Sequence, residues 1–180
     1  MGDPDQNTVR RPLPHRAPRA VPLDRRKDIL SASMPAPPPD ARSLTAKAVS
    51  VMRCGDDGVI LRIRPDSALP PIRAARFFML RREDKLSPAI PRPFSIYRQD
   101  GNELEFLLKV MGPGTSALAA CTPGTALRLI GPLGNGWPAL DGDGPPWVML
   151  AGGIGSAPFY MGIEQALRGM DGRMAARRDQ

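Results

Sequence analysis

From Ser43 onward the chain is a series of short apolar segments separated by turn residues. Leu44–Met52 alternates in part and ends on Cys54-Gly55-Asp56-Asp57-Gly58, a turn by composition. Val59–Arg64 alternates apolar and basic residues, which suits the second arm of a hairpin with one solvated face. Phe77–Leu80 and Ser95–Arg98 read as further strands, with Pro65–Pro71 as a loop. Gln99-Asp100-Gly101-Asn102 turns into a strand over Leu104–Val110, and Thr122-Pro123-Gly124 turns into another over Ala126–Ile130. Short strands at this spacing, with brief helical stretches only, predict an antiparallel barrel or sandwich of about six strands.

The pattern changes at both ends. Residues 1–42 are rich in proline and arginine, and proline at that density blocks both helix and sheet. They read as a disordered arm, with the true start of the protein near Met34 as one possibility. A barrel is expected over 43–140, and Asp141-Gly142-Asp143-Gly144-Pro145-Pro146 marks a boundary. Trp147–Ala151 is then fully apolar, as in a buried parallel strand, and a glycine loop leads to a helix near Phe159–Arg168. Residues 147–168 thus read as the first βα unit of a nucleotide-binding α/β domain, and 169–180 as a tail. The expected class is β plus α/β, with the second part incomplete, because one βα unit cannot cover both faces of its strand.

Composition narrows the picture. The net charge is +7, but much of it lies in the two ends, at Arg10, Arg11, Arg16, Arg19, Arg25, Arg26 and Lys27 and at Arg173, Arg177 and Arg178. No aromatic platform accompanies those cations, so nucleic acid is not the expected partner. No apolar run approaches the ~20 residues of a membrane span, and Arg10-Arg11 is not followed by the apolar core of a signal peptide. A soluble, cytoplasmic protein is expected. Cys54 and Cys121 are far apart with no close-spaced pair, which gives no metal site and leaves reduced thiols as the default.

Three stretches carry candidate chemistry. Arg92-Pro93-Phe94-Ser95 places a cation, a rigid turn, an aromatic and a hydroxyl at the start of an extended segment. It serves either as a cofactor seat or as a half-buried strand opened by proline. Met111-Gly112-Pro113-Gly114-Thr115-Ser116 leads into a short helix, which Thr115 or Ser116 can cap. It is either a phosphate site at a helix start or an ordinary capped turn. Gly152-Gly153-Ile154-Gly155-Ser156-Ala157-Pro158 follows a strand-like run and precedes a helix, the context in which a glycine loop holds a dinucleotide. Pro158 stands in place of the third glycine of the full fingerprint.

Taken in order, these stretches, together with Leu107-Leu108-Lys109 and Gly131-Pro132-Leu133-Gly134-Asn135-Gly136-Trp137, resemble the ferredoxin-reductase-like flavoproteins. Within them they are similar to the dihydroorotate dehydrogenase electron transfer subunits. The resemblance runs from about Ser43 to Arg168. It implies an FAD-binding barrel, with Arg92 on the pyrophosphate, Phe94 against the isoalloxazine, Ser95 at the flavin edge and Pro93 within the same cofactor-binding segment. Leu107, Leu108 and Lys109 would contribute a backbone contact segment. Gly114 and Thr115 would offer N–H groups to the phosphates, and Gly152, Gly153 and Gly155 would shape the loop against NAD. No side chain of this chain is assigned the chemical step, which belongs to the flavin. The implied partner is a catalytic dihydroorotate dehydrogenase subunit in a hetero-oligomer, with electrons passing from it to NAD in pyrimidine synthesis.

The chain departs from that family in three places. Ala74-Ala75-Arg76-Phe77 stands where the family tends to have Pro-Gly-Gln-Phe. The rest of the pyridine-nucleotide domain is missing, and the cysteine cluster that carries a [2Fe–2S] centre in the family has no match in Cys54 and Cys121. The chain therefore reads as shortened at its C-terminal end, by truncation or by separate encoding of the remainder. Two other readings remain: a related flavin reductase subunit, of a hydrogenase, a sulfide dehydrogenase or an NADH-dependent ferredoxin oxidoreductase, and a non-catalytic basic β-barrel that binds nucleic acid.

Overall fold

The computed structural model describes residues 40–84, 89–138 and 148–178, with side chains to Gly169. The expected arm over 1–42 lies outside the described residues but for its last three. So do Trp147, the Asp141–Pro146 boundary and the side chains of the expected tail beyond Gly169.

Seven strands form one antiparallel sheet: β1 (Arg42–Cys54), β2 (Gly58–Pro65), β3 (Phe77–Arg82), β4 (Arg92–Ser95), β5 (Arg98–Asp100), β6 (Glu103–Lys109) and β7 (Ala126–Leu133). Their order is β4-β3-β7-β1-β2-β6-β5. The two edge strands, β4 and β5, are consecutive in the chain and separated only by Ile96 and Tyr97. So short a link forces the sheet to curl until its edges meet, giving a half-barrel. The Ile96 N–H donates to the Arg76 carbonyl at 3.1 Å and the Tyr97 N–H to the Glu105 carbonyl at 2.8 Å, which ties the link to both sides.

Period-two burial builds the core. Leu44, Ala46 and Ala48 on β1, Val59, Leu61 and Ile63 on β2, and Leu104, Phe106 and Leu108 on β6 all point inward. Phe78 and Phe106 meet edge-on across the barrel at 6.2 Å between centroids. β1 serves two partners, pairing with β7 through Arg42–Lys47 and with β2 through Ala46–Cys54. A register shift between Ala48 and Ser50 bends the strand where it passes from one to the other.

The expected Leu44–Met52/Val59–Arg64 hairpin is present, closing on Gly55 at φ +70°. The count is seven strands rather than about six. The expected strand Ser95–Arg98 is split into β4 and β5, because Ile96 turns its side chain into the core at the sheet edge. The strand expected over Ala126–Ile130 runs on to Leu133, with Gly131 opposite Arg42 and Leu133 opposite Phe77. A Cβ on Gly131 would lie 2.5 Å from the Phe78 ring, so this strand position has room only for glycine.

Two helices and one tight turn complete the described residues: α1 (Pro113–Ala119), a 3₁₀ turn at Gly153–Ser156, and α2 (Ala157–Arg178). The expected buried parallel strand before the glycine loop does not form over 148–151; Val148 is 82% and Leu150 87% exposed. A parallel strand is buried only between neighbours on both sides, and among the described residues no strand lies beside this segment. The helix of the unit does form, starting at Ala157 rather than near Phe159.

Candidate functional site

Curling of the sheet brings β4 against β6, though they are not neighbours in the hydrogen-bonded order. Between them opens a cleft of about 260 Å³. One wall is Pro93, Phe94 and Ser95; the other is Leu107, Leu108 and Lys109; Met111 and Thr115 also line it, with Ile154 of the 3₁₀ turn and Ala157 at the start of α2. The volume lies near the lower bound for small-molecule sites, ~300 Å³, enough for one ring system rather than a whole dinucleotide.

Phe94 packs on the core from its pairing position opposite Phe78. Leu108 is fully buried and Phe94 half-buried, so the cleft floor is apolar. Ser95 is half-buried, and its hydroxyl makes no hydrogen bond among the described residues. It is therefore available to a ligand edge. The Lys109 ammonium is not free: it pairs with Asp57 in the β1–β2 turn at 2.9 Å.

Arg92 is exposed at the start of β4, one residue outside the lining. Among the described residues its guanidinium has no ion pair or side-chain hydrogen bond. Arg62, Arg64, Arg76, Arg82, Arg98, Arg128 and Arg168, by contrast, all pair with carboxylates. An arginine with all its donors open beside a cleft is suited to an anion.

At the other end, α1 begins with Gly112 as its cap and Pro113 in its first position. The cap is neither Thr115 nor Ser116. The Thr115 hydroxyl instead accepts the N–H groups of Met111 at 2.9 Å and Gly112 at 3.1 Å and donates to the Gly112 carbonyl at 3.0 Å. Thr115 sits one turn too far along to cap, and its short side chain folds back over the entry. The first helical bond is Ser116 N–H to Gly112, so Gly114 and Thr115 hold N–H groups of the kind a helix start leaves without an internal acceptor. A side chain on Gly112, Gly152 or Gly155 would meet nothing within 4 Å, and none of the three has a positive φ. Packing within the chain does not require glycine there, and bare backbone at the mouth of a cleft leaves room for a ligand. Gly153 differs, its φ of +52° needing glycine for the turn itself.

Structure thus gathers Pro93, Phe94, Ser95, Leu107, Leu108, Lys109 and Thr115 into one lining, with Arg92 and Gly114 at its margins. Gly152, Gly153 and Gly155 lie in an exposed loop beside it. Met111, Ile154 and Ala157 were not anticipated as lining. Met111 is 75% exposed and Ile154 44%, and only the three-dimensional path of the loop brings them to the cleft. Burial raises the Tyr97 hydroxyl above its ordinary pKa, helped by neighbouring Tyr160, and burial raises the Cys121 thiol likewise. Cys54 is exposed and Cys121 buried, and both are free. Among the described residues no group of three or more His, Cys, Asp or Glu side chains is placed to hold a metal, and no helix is long and apolar enough to cross a membrane.

No protein-family model matches the chain. Solved structures share its architecture. A ferredoxin reductase of carbazole 1,9a-dioxygenase superposes with a TM-score of 0.62 at 20% identity, over 73% of this chain and 41% of that one. A cytochrome P450 reductase from Amycolatopsis gives 0.64 at 24%, over 73% and 40%. The barrel is ferredoxin-reductase-like. Among curated proteins, the dihydroorotate dehydrogenase B (NAD(+)) electron transfer subunit of Clostridium acetobutylicum is 38% identical over 88 residues, 49% of this chain and 35% of that protein. The subunit of the same name from Clostridium perfringens is 32% identical over 88 residues, 49% of this chain and 34% of its own length. These electron transfer subunits are homologues of the ferredoxin-reductase-like barrel described here, and the matches span about a third of their length.

Proposed function

We propose that this chain is the flavin-holding part of an electron-transfer oxidoreductase subunit, with FAD seated in the β4/β6 cleft. The observation that carries the reading is the convergence on one apolar cleft of an unpaired arginine, an unpaired hydroxyl and the start of a helix. A flat, uncharged ring system joined to a pyrophosphate asks for those groups and that order. Arg92 would take the pyrophosphate with its planar fork of donors, supported by the N–H groups of Gly114 and Thr115. Phe94, Leu107 and Leu108 would exclude water from the ring, and the Ser95 hydroxyl would bond a ring edge. Bound FAD would supply hydride exchange with a nicotinamide and single-electron exchange with an acceptor. The chain's own residues orient it and set its surroundings.

The finer reading follows the homologues' names: electrons would pass from a catalytic dihydroorotate dehydrogenase subunit, as partner in a hetero-oligomer, to NAD. The domain division proposed for this role is a barrel over 43–140 and the start of a nicotinamide-dinucleotide-binding unit over 147–168. Gly152, Gly153 and Gly155 would then face the NAD, and the bare backbone at Gly152 and Gly155 supports that role.

The visible spectrum of the purified protein, before and after addition of FAD, tests the proposal. A flavin band that stays with the protein through gel filtration is expected. A colourless protein that takes up no added FAD would overturn it.

A further inference from the structure

The cleft is two-sided in its origin. Pro93–Ser95 and Leu107–Lys109 come from the barrel, while Ile154 comes from the 3₁₀ turn that leads directly into α2 and Ala157 from the first residue of α2. Its width therefore depends on how α2 is held against the barrel.

That attachment is narrow. Ala157, Met161 and Gly162 are the buried residues at the start of the helix, on one face. Gly162 lies under the Trp137 ring, where an added Cβ would come within 2.5 Å of the indole. Phe159 meets the same indole edge-on at 5.1 Å. One turn beyond Met161, the Gln165 side chain bridges two backbone groups of the segment before β3. Its Oε1 accepts the Ala74 N–H at 3.0 Å, and its Nε2 donates to the Ile72 carbonyl at 2.7 Å. Ile72 and Ala74 are 3% and 2% exposed, so their backbone groups need partners from within the protein. Gln165 is itself an exposed residue, and it lines a second cleft of about 300 Å³ together with Leu69, Ile72, Gln99 and Met161. Beyond the buried Met161, which joins the core, the helix is held by the paired hydrogen bonds, the glycine–tryptophan contact, the Tyr97–Tyr160 stack at 4.7 Å and the Arg98–Glu164 ion pair at 3.4 Å.

We propose that Gln165 is a positioning residue for the cofactor cleft: by clamping α2 to Ile72–Ala74 it sets the separation between the Ile154/Ala157 wall and the β4/β6 wall. The inference deepens the flavin reading and rests on it for its ligand, but the clamp itself can be tested without one.

The test uses the full chain with Gln165→Leu, which keeps the side chain's bulk and removes both hydrogen bonds. Titration with FAD is paired with amide hydrogen exchange of the flavin-free protein. We expect FAD affinity to fall about tenfold, the scale of one or two net hydrogen bonds. Exchange should quicken in the segment 155–161 and at Ala74 and stay unchanged in β1 and β2. Gly162→Ala, which disturbs the same attachment through Trp137, should act in the same direction. Ile63→Val, a core change remote from α2, should lower the melting temperature and leave both readouts as in the unmodified chain. Gln165→Glu, which keeps the acceptor for Ala74 and loses the donor to Ile72, should fall between. Unchanged exchange at 155–161 in Gln165→Leu overturns the clamp; quicker exchange with unchanged FAD affinity overturns its positioning role. If the unmodified chain takes up no FAD, the flavin reading fails separately, and exchange alone decides the clamp in the same two directions.

Discussion

Ala75 carries a backbone φ of +65°, the one non-glycine residue with positive φ among the described residues. Its neighbours leave it no choice. The Ala74 N–H is held by Gln165 and its carbonyl accepts the Trp137 N–H at 2.9 Å, while the Arg76 carbonyl accepts the Ile96 N–H and its guanidinium reaches Asp40 and the Pro132 carbonyl. With both flanks pinned, the reversal into β3 falls on Ala75. An L-residue in this region is strained by about 1–2 kcal/mol. Replacing it with glycine removes that strain and adds about 0.5–1 kcal/mol of unfolded-state entropy. Ala75→Gly should therefore stabilise the chain by about 0.5–1 kcal/mol, a rise in Tm of about 1–4 °C. Thermal melts by circular dichroism, checked by urea titration with an unchanged slope, would measure it. A lower Tm would show that Ala75 is not strained and that its side chain contributes packing this account omits. Ala75 thus takes a left-handed geometry that glycine would adopt without strain.

Other substitutions bear on other parts of the account. Arg92→Ala should weaken FAD binding by about 1–3 kcal/mol, the scale of charge-assisted hydrogen bonds, with little change in Tm because the side chain is exposed and unpaired; flavin fluorescence titration would measure it. Gly131→Ala, which drives a methyl into Phe78 and the Phe77 carbonyl, should destabilise by about 1–3 kcal/mol in denaturant melts. Thiol titration should find Cys54 reactive in the native protein and Cys121 only after unfolding. Burial raises the Cys121 pKa in the folded state above its ordinary 9.0, so the protonated thiol favours the fold and stability should be lost as pH climbs past about 9. Cys121→Ala should flatten that part of the alkaline stability profile.

The barrel was legible in the sequence because half-buried strands declare themselves by alternation: β1, β2 and β6 read directly from Leu44–Met52, Val59–Arg64 and Leu104–Val110. β5 was not legible, since Arg98-Gln99-Asp100 is three polar residues paired on one side only. The β7 extension hid behind glycine and proline, residues that usually end a strand and here line its crowded crossing with Phe78. At the cleft, Phe94 and Ser95 were readable from local chemistry, whereas the Leu107–Lys109 segment came only from the family resemblance. Met111, Ile154 and Ala157 were not, because their place there comes from the closure of the barrel and the attachment of α2. Trp147–Ala151 shows the limit of pattern alone. An apolar run signals a buried strand only where other strands flank it, and the described part of this run is exposed.

Amide hydrogen exchange with and without saturating FAD locates the ligand on the barrel. Protection is predicted at Phe94 and Ser95, Leu107–Lys109, Gly114 and Thr115, with lesser protection at Ile154 and Ala157. Protection that instead falls on the larger space of about 630 Å³ bounded by Val51, Arg53, Val110 and Ala120, or no protection at all, would contradict a flavin seat between β4 and β6.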